Sequence, residues 1–388
     1  MFPDYESAIQ QTRKWVDDLT FTYALEWKKQ KSSRRIVGFL PIYVPREIIV
    51  AGDMLPVGIF GAGDRLPVVH GDAYFQSYIC HLPRTVIELA LRGHLDQFDS
   101  ILFPAICDVI RNLSGIFKLK FKDKYIRYLD FPQNMDPEVG GKFYRTELEE
   151  LVKSLQKLNG VTIDNKRLNK AISLYNENRR LLQEVSSFRS EYPHLIPVLD
   201  YYLLRRAGNI ISVQDHNRLL AAIMSLAPQV QREPEDKIRV VLSGSFCEQP
   251  PLGLLQTIEN AGCYIIDDDL QLGLTWIQGE IPANTDDPLG ALVDSYLSQS
   301  ALSSAVYDRD HLKGEKFAQY VTENRVDGVI FCAPSFCDPA LLDRPQLEQA
   351  MDRQHIRHFS FQYHENLGQF HVIKEQAGTF ADMIKLWE

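Results

Sequence analysis

The chain has 388 residues, which exceeds the size of one ordinary hydrophobic core, so two domains are expected. Its 45% hydrophobic and 24% charged content is typical of a globular protein, and its formal net charge of −9 argues against nucleic acid or an anionic membrane as the main partner. The amino terminus shows no secretory signal, and no apolar run approaches the roughly 20 residues that span a bilayer. Six cysteines in no repeating frame do not suit a secreted disulfide scaffold, so we expect a cytoplasmic protein.

The amino-terminal part of the chain alternates short apolar runs with helical patterns. The strand candidates are RRIVGFLPIYV, LPVGIFG, FDSILFP and YIRYLDFPQN, and the helix candidates between them are REIIVAG, CHLPRTVIELALRG and CDVIRNLSGIF. Strands that alternate with helices of this length predict right-handed βαβ units and a mostly parallel sheet. We therefore expect an α/β domain over residues 1–137.

The sequence changes character over residues 138–235, where apolar residues recur at helical spacing and REPEDKI reads as a polar linker. Beyond this helical segment, strand patterns return in IRVVLSGSF, CYIIDDDL, DGVIFCAP and IRHFSFQYH. A second α/β domain is therefore expected over residues 236–388. The predicted fold class is α/β, with two Rossmann- or flavodoxin-like parallel-sheet domains joined by a helical segment.

Two local patterns bear on which ligands the chain binds. The pattern G-x-x-x-x-G-K-[ST] is absent, so we expect no nucleotide site of the P-loop type on this chain. Three consecutive carboxylates, Asp267 to Asp269, close a predicted strand. Carboxylates in such a position can bind a metal, but a solvated strand end is the simpler interpretation.

Three of the six cysteines fall at predicted junctions between a strand and the following helix: Cys80, Cys107 and Cys337. In parallel sheets these junctions gather at the carboxyl edge, where ligands bind, and a helix N-terminus favours the thiolate that binds metal. Their spacing matches no local zinc or ferredoxin pattern. From the residues alone, a shared metal site and three scattered buried thiols both stay open.

The other three cysteines have different surroundings. Cys332 lies inside a predicted strand and Cys263 begins one, so both are expected to be small buried apolar residues. Cys247, in GSFCEQPP, falls in another strand-to-helix loop, and its position alone does not decide its role.

Four stretches of the chain resemble the 2-hydroxyacyl-CoA dehydratase D-component family: YVPREIIVAG, PAICDVIRNL, GSFCEQPPLGLLQTIENAGCYIIDDDL and RVDGVIFCAPSFCDPALLDRPQLEQA. The resemblance covers most of the chain. The length of the chain and its third stretch resemble most the benzoyl-CoA reductase branch of the family. The family implies a [4Fe-4S] cluster held by three cysteines of one subunit. Carried over position by position, these are Cys80, Cys107 and Cys337, with Cys247 lining the site.

The resemblance also singles out Glu47, which matches a family position near the acyl-CoA and is a candidate for a polar or proton-handling role. Ile42 is apolar where hydroxyacyl-CoA dehydratases tend to carry a polar residue, and this favours an aromatic acyl group. Because Glu47 also falls in the first turn of a predicted helix, an interaction with the helix dipole is the alternative role.

The resemblance implies a function and a set of partners. The chain would pair with a homologous catalytic subunit and receive electrons from ATP-binding activator subunits, which carry their own iron–sulfur cluster and take electrons from ferredoxin. The expected function is that of a benzoyl-CoA reductase subunit, which passes single low-potential electrons to an aromatic acyl-CoA. A β-type subunit of a 2-hydroxyacyl-CoA dehydratase and a non-enzymatic two-lobed binding protein stay open as alternatives.

Overall fold

The computed structural model describes residues 2–40, 42–244, 250–270, 275–301, 303, 314–364 and 370–386. Within these residues the chain forms two four-stranded sheets, and every strand pair in both sheets is parallel. Helices flank the sheets. The predicted α/β fold with two parallel-sheet units is therefore confirmed.

The first sheet is formed by the amino-terminal part of the chain. Its strands are β1 (Arg35–Phe39), β2 (Met54–Gly58), β3 (Ser100–Pro104) and β4 (Tyr125–Leu129). The helices of this part are α1 (Tyr5–Asp17), α2 (Thr22–Lys29), α3 (Arg46–Ala51), α4 (His81–Leu91) and α5 (Asp108–Lys120). Strands β2 and β3 are buried along their whole length, as expected for strands of a parallel sheet that is covered on both faces.

Four helices connect the two sheets: α6 (Lys142–Asn159), α7 (Asn165–Glu191), α8 (Val198–Ala207) and α9 (Val213–Leu226). The sequence signals for their ends are the expected ones. Asp164 and Ser212 cap α7 and α9 by accepting backbone N–H bonds, and Gly160 ends α6 in the left-handed conformation.

The second sheet is formed by β5 (Ile238–Gly244), β6 (Cys263–Asp268), β7 (Gly328–Pro334) and β8 (His358–Tyr363). The helices of this part are α10 (Leu252–Asn260), α11 (Pro288–Gln299), α12 (Glu315–Glu323), α13 (Asp338–Arg353) and α14 (His371–Leu386). Strand β7 is buried at every residue, which explains its unbroken apolar sequence.

The two sheets have the same strand order, β2-β1-β3-β4 and β6-β5-β7-β8. In the first sheet, β2 is added on one side of β1, and β3 and β4 are added on the other side; the second sheet is built in the same way around β5. A topological switch point therefore lies between β1 and β3 and another between β5 and β7. Ligands of open parallel sheets bind outside the carboxyl ends of the strands at such points. This order places the loops after β1, β3, β5 and β7 at the positions where a site is expected.

The two hydrophobic cores do not follow the two halves of the sequence. The core of the first sheet includes residues 276–301, which carry α11, and the core of the second sheet includes apolar residues of α1. Helix α7 contributes to both cores, with Leu168 and Ile172 in the first and Leu182 and Val185 in the second. Because packing crosses residues 137 and 235, a division of the chain at these points stays a prediction.

At Gly244, the backbones of β5 and β7 come close together at the second switch point, and a substitution there tests this contact. A Cβ atom at Gly244 would lie 1.7 Å from the carbonyl oxygen of Cys332 on the neighbouring strand. We expect Gly244→Ala to lower the free energy of unfolding by on the order of 1–3 kcal/mol, because backbone would have to move. Gly115→Ala is the control: its Cβ meets nothing within 4 Å on the exposed side of α5, so the free energy should rise slightly. Equal effects in urea denaturation would contradict the predicted contact.

Candidate functional site

Two cysteines lie at equivalent corners of the two sheets. Cys107 is the N-cap residue of α5, three residues after β3 ends, and Cys337 is the N-cap residue of α13, three residues after β7 ends. The surrounding sequences, PAICD and PSFCD, share the pattern Pro-x-x-Cys-Asp. This repeat was visible in the sequence and is the signal that the sequence-based prediction missed.

Backbone hydrogen bonds repeat at these two corners. The residue after each proline donates its backbone N–H to the carbonyl of the last residue of the neighbouring edge strand, β4 or β8. The carbonyl of each cysteine accepts the first hydrogen bond of the helix that follows. The pairs are Ala105 to Leu129 at 2.9 Å and Ser335 to Tyr363 at 2.8 Å, then Arg111 to Cys107 at 3.1 Å and Leu341 to Cys337 at 3.0 Å. The two corners therefore share these two hydrogen bonds, although their backbones differ: Cys107 is extended, whereas Phe336, just before Cys337, has a positive φ of 67°.

The thiols of Cys107 and Cys337 interact electrostatically. Burial raises the pKa of Cys107, the nearby backbone N–H groups of Ile110 and Val109 oppose this shift, and negative charge at Cys337 and Asp108 adds to it. Since such interactions decline with distance, the two corners lie near each other. The structure thus brings together two of the three cysteines selected from the sequence, which are 230 positions apart in the chain.

The third selected cysteine, Cys80, is the N-cap residue of α4 on the connection from β2, and its side chain is partly exposed. The next residue, His81, bonds through Nε2 to the carbonyl oxygen of Gly63 at 3.2 Å, which anchors the start of α4. No group of three His, Cys, Asp or Glu side chains in the described residues is gathered closely enough to hold a metal ion. By donor chemistry the three residues fit an iron–sulfur centre, because thiolates are its protein ligands and each cysteine is the N-cap residue of a helix.

Two of the remaining cysteines, Cys332 and Cys263, were predicted from the sequence to be buried, and the structure confirms this. Cys332 in β7 and Cys263 in β6 are both fully buried. Burial raises the pKa of Cys263 to about 12 and that of Cys332 well above its ordinary value, so both stay neutral thiols. Cys247, the residue expected to line the site, lies outside the described residues.

Glu47 lies in the first turn of α3, directly after the loop that leaves β1. Its side chain is 3% exposed and forms an ion pair with Arg179 of α7, whose side chain is 9% exposed. Arg46 is also buried and stacks on the ring of Tyr175, with its guanidinium carbon 4.9 Å from the ring centroid. Glu47 therefore has a buried cationic partner that its sequence position did not reveal, in addition to its place at the start of a helix.

Arg179 also connects this ion pair, through Asn176, to residues 276–301, which pack into the core of the first sheet. It donates to Oδ1 of Asn176 at 3.0 Å, and the same oxygen accepts the N–H of Ile281 at 3.0 Å. The Nδ2 group of Asn176 in turn donates to the carbonyl of Ile281 at 2.7 Å. The middle of α7 is thus a polar region between the two apolar ends of the helix.

The acidic run at the end of β6 is not a solvated strand end, contrary to the sequence interpretation. Asp267 accepts a hydrogen bond from the hydroxyl of Tyr320, and Asp268 pairs with Arg205 at 3.2 Å, with both side chains of that pair almost fully buried. Internal tyrosine and arginine partners cannot be recognised from local sequence, because they come from α12 and α8.

Asp269 differs from its two neighbours because its partners are neutral. It accepts hydrogen bonds from the hydroxyl of Ser243 and from the N–H of Gly244, both at 2.7 Å. Burial raises its pKa to about 7, although these two bonds favour the carboxylate. Asp269 therefore titrates near neutral pH at the carboxyl edge of the second sheet.

A cleft of about 630 Å³ lies where the two halves of the chain meet. One wall is formed by Phe60 and residues 63–65 beyond β2, and the other by residues 250–253 at the start of α10 and by His371 and Lys374 at the start of α14. A groove of about 550 Å³ beside Met54 lies at the amino end of β2, on the side away from the cysteine corners. Of these two cavities, the one of about 630 Å³ lies on the carboxyl side of the first sheet, beyond β2.

A family model described as the D-component of 2-hydroxyglutaryl-CoA dehydratase matches residues 41–384. The chain belongs to this family. The C subunit of benzoyl-CoA reductase from Thauera aromatica is 48% identical over 380 residues, which cover 98% of each chain. The β subunit of (R)-2-hydroxyglutaryl-CoA dehydratase from Acidaminococcus fermentans is 27% identical, covering 92% of this chain and 94% of its own. The β subunit of (R)-phenyllactyl-CoA dehydratase from Clostridium sporogenes is 23% identical, covering 99% and 98%.

These relationships confirm the family resemblance and the expectation that the chain is part of an enzyme. The chain is a subunit of the dehydratase or reductase type, and its relatives are named as subunits, which implies partner subunits. In the part of the chain that the structure describes, no helix is both long enough and apolar enough to cross a membrane.

The raised pKa of Asp269 predicts a pH-dependent contribution to stability. In the unfolded chain the carboxyl ionises near pH 3.8, whereas in the folded chain it keeps its proton until about pH 7. Its contribution is therefore complete below pH 3.8 and is lost as the pH rises through 7. We expect Asp269→Asn to weaken the fall in melting temperature between pH 5 and pH 8, measured by calorimetry.

The control for this prediction is Asp123→Asn, which removes an exposed carboxylate at the far end of α5. Its melting temperature should follow the wild-type pH dependence. A variant Asp269→Asn with an unchanged slope would show that this carboxyl does not titrate near neutral pH.

Proposed function

We propose that the chain is one of the two homologous catalytic subunits of a benzoyl-CoA reductase and that it holds a [4Fe-4S] cluster through Cys80, Cys107 and Cys337. The observation that carries the proposal is the repeated Pro-x-x-Cys-Asp corner, which follows a strand in each of the two sheets and sets Cys107 and Cys337 near enough to interact electrostatically. The 48% identity to a benzoyl-CoA reductase subunit over nearly the whole chain supports the choice of enzyme.

The helix starts favour negative charge at all three positions, although burial raises the pKa of Cys107. Each cysteine precedes the first turn of a helix, where free N–H groups and the helix dipole stabilise negative charge. For Cys107, the N–H groups of Val109 and Ile110 oppose the effect of burial on its pKa. Three protein thiolates would leave one iron with an open position, as in catalytic metal sites. When bound, such a cluster would supply single electrons at low potential.

The proposed substrate is an aromatic acyl-CoA, benzoyl-CoA. The cleft between the two halves offers a volume of about 630 Å³, and both α10 and α14 begin in it. Helix N-termini attract phosphate groups, which a CoA thioester carries. Three cations also line the cleft: Arg65, Arg206 and Lys374. Ile42 near the first switch point is buried and apolar, which agrees with an apolar acyl group.

The proposed partners are a homologous catalytic subunit, ATP-binding activator subunits with their own iron–sulfur cluster, and ferredoxin as the upstream electron donor. The sequence supports the separate activator, because it contains no P-loop with which this chain could bind ATP itself. The subunit names of the relatives support an assembly of several chains.

A 2-hydroxyacyl-CoA dehydratase is the second candidate, because β subunits of such enzymes align over more than 90% of this chain. The two reactions differ in electron count. Reduction of benzoyl-CoA to a cyclic diene consumes two electrons and two protons per turnover, whereas loss of water from a hydroxyacyl-CoA consumes none in net terms. Stoichiometric oxidation of a dithionite-reduced donor by benzoyl-CoA would therefore decide between them.

The cluster proposal predicts which cysteines hold iron. We expect Cys80→Ala, Cys107→Ala and Cys337→Ala each to lose most iron and acid-labile sulfide from anaerobically purified protein, because each removes one of three thiolates. The matched control is Cys332→Ala, five residues from Cys337 but buried in β7. It should keep the wild-type iron content and the EPR signal of the reduced protein.

Two results would reject this assignment. Full iron in all three variants would show that other residues hold the metal. Wild-type protein without iron, prepared anaerobically with its partner subunit, would favour a binding protein that shares only the fold.

The ion pair between Glu47 and Arg179 allows its structural role to be separated from a role in the reaction. Glu47→Gln leaves a buried guanidinium without its counter-charge, which should lower the free energy of unfolding by about 3–5 kcal/mol. The double variant Glu47→Gln/Arg179→Met removes both charges and should recover much of this loss. If Glu47 handles a proton, the double variant will be stable but slow in benzoyl-CoA reduction. Wild-type turnover in that variant would restrict Glu47 to the ion pair.

A further inference from the structure

The groove of about 550 Å³ lies at the amino ends of β1 and β2, on the side of the first sheet away from the cysteine corners. Four parts of the chain form it: α2 with the residue before β1, the end of α3 with the start of β2, the start of α7 and the start of α9. Its apolar lining includes Met54, Leu55 and Val213, which are almost fully buried. None of its described lining residues belongs to the proposed iron or acyl-CoA site, so its chemistry needs a separate explanation.

The charged lining of the groove contains more cations than carboxylates. The cations are Arg34, Arg167, Lys170 and Arg218, and the carboxylates are Glu26, Asp53 and Asp215. Two of the carboxylates already have cationic partners. Asp53 pairs with Lys31 at 2.8 Å, and Asp215 pairs with Arg218 at 2.7 Å. The charge of these two carboxylates is therefore balanced within the protein.

Three of the lining cations have no such balance. Within the described residues, Arg34, Arg167 and Lys170 form no ion pair, and Glu26 is the single lining carboxylate that forms none either. Arg167 lies in the first turn of α7 and Lys170 in the second, and both are exposed. In a chain with a net charge of −9, this local surplus of positive charge makes the groove a place where anions concentrate.

Arg34 is held in a fixed position and has donors to spare. Its guanidinium carbon lies 4.2 Å from the centroid of the Trp27 ring, and its Nη1 group donates to the carbonyl of Trp27 at 2.8 Å and to Oε1 of Gln30 at 2.6 Å. Its Nε atom is buried and has no hydrogen-bond partner among the described residues. A guanidinium can bind two oxygen atoms of one anion at once. Because stacking and hydrogen bonds already restrain Arg34, little side-chain entropy would be lost on binding.

Helix α9 also begins in this groove, since Ser212, Val213 and Gln214 line it. The hydroxyl of Ser212 caps the helix by accepting the N–H of Asp215 at 3.2 Å. Peptide dipoles at the start of a helix favour a phosphate group nearby. This effect adds to a site that the side chains of other elements already define.

The lining suits a ligand with two unlike parts. Three cations from separate places in the chain match the multiple negative charge of a phosphate better than the single charge of a carboxylate. The buried apolar residues offer a surface for an organic group. The volume of about 550 Å³ exceeds what inorganic phosphate fills and lies in the range of about 300–1,000 Å³ that is typical of pockets for small organic ligands.

We propose that this groove binds an organic phosphate, with the phosphate group held by Arg34, Arg167 and Lys170 and the organic group against the buried apolar residues. The site is separate from the proposed reaction, and no cysteine or acyl-CoA takes part in it. The end of α3 lines the groove, whereas the first turn of the same helix carries Glu47. A ligand in the groove would therefore contact an element that reaches the carboxyl side of the sheet, which suits an effector.

The test is isothermal titration calorimetry of the full-length chain with three probes: naphthyl phosphate, inorganic phosphate and naphthoate. The first carries both parts of the proposed ligand, and each of the others lacks one. We expect saturable binding of naphthyl phosphate and binding of the other two that is weaker by about tenfold or more. Arg34→Gln and Lys170→Gln should each weaken the binding of naphthyl phosphate by about tenfold, because each removes a charge-assisted contact.

The matched control is Lys166→Gln, which removes an exposed lysine of α7 one turn before Lys170 that does not line the groove. A second control, Lys374→Gln, removes a cation of the other cleft. Both should bind naphthyl phosphate as the wild type does. A loss of binding in Lys374→Gln alone would place the ligand in the other cleft and overturn the proposal.

The remaining outcomes are also decisive. Wild-type protein without saturable binding of naphthyl phosphate would overturn the proposal, as would equal affinities of Arg34→Gln, Lys170→Gln and Lys166→Gln. Inorganic phosphate that binds as tightly as naphthyl phosphate would overturn the assignment of an organic ligand. Lys170 is exposed and forms no ion pair with a described residue, so Lys170→Gln tests the site even if Arg34→Gln, which loses its stacking on Trp27, does not fold.

Discussion

The structure depends on the long helix α7, which packs into both hydrophobic cores. Its 27 residues span about 40 Å, so its first half reaches the core of the first sheet and its second half that of the second. Between the apolar ends, Tyr175 and Arg179 contact residues of α3. Asn176 is hydrogen-bonded to Ile281, in residues 276–301. The exchange of α1 and residues 276–301 between the cores adds to this connection. A site shared by the two sheets requires that their carboxyl edges are held in fixed positions, and this packing provides that restraint.

At the corner of Cys107, opposing electrostatic effects act on one sulfur atom. The nearby N–H groups at the start of α5 favour a thiolate, while burial and the carboxylate of Asp108 disfavour it. A parallel sheet makes this arrangement available twice, because each strand end leads into the start of a helix. The family includes both reductases and dehydratases, so the fold does not select the reaction. The reaction would be selected by the residues that touch the acyl group and by the potential of the electron.

Much of the fold was predictable because its signals are local. Alternating apolar runs and helical patterns predicted both sheets and the helices between them. The three cysteines at helix starts were also predictable, because a strand end followed by a helix is recognisable over about ten residues. The strand order was not, since it depends on which edge of the sheet each crossover reaches. The partners of Glu47, Asp267 and Asp268 were not predictable either, because they come from other helices.

By itself, the sequence determined the α/β class, the family, the absence of a P-loop and the positions of Cys80, Cys107 and Cys337 at helix starts, since each depends on neighbouring residues. Only the tertiary structure decided that Cys107 and Cys337, from two sheets, lie near enough to interact electrostatically and that Glu47 pairs with Arg179. Only the tertiary structure, too, gave Asp269 a pKa near neutrality. These three properties arise from charges that are brought close together, and from burial that lowers the local polarity. Both depend on distances between residues that are far apart along the chain.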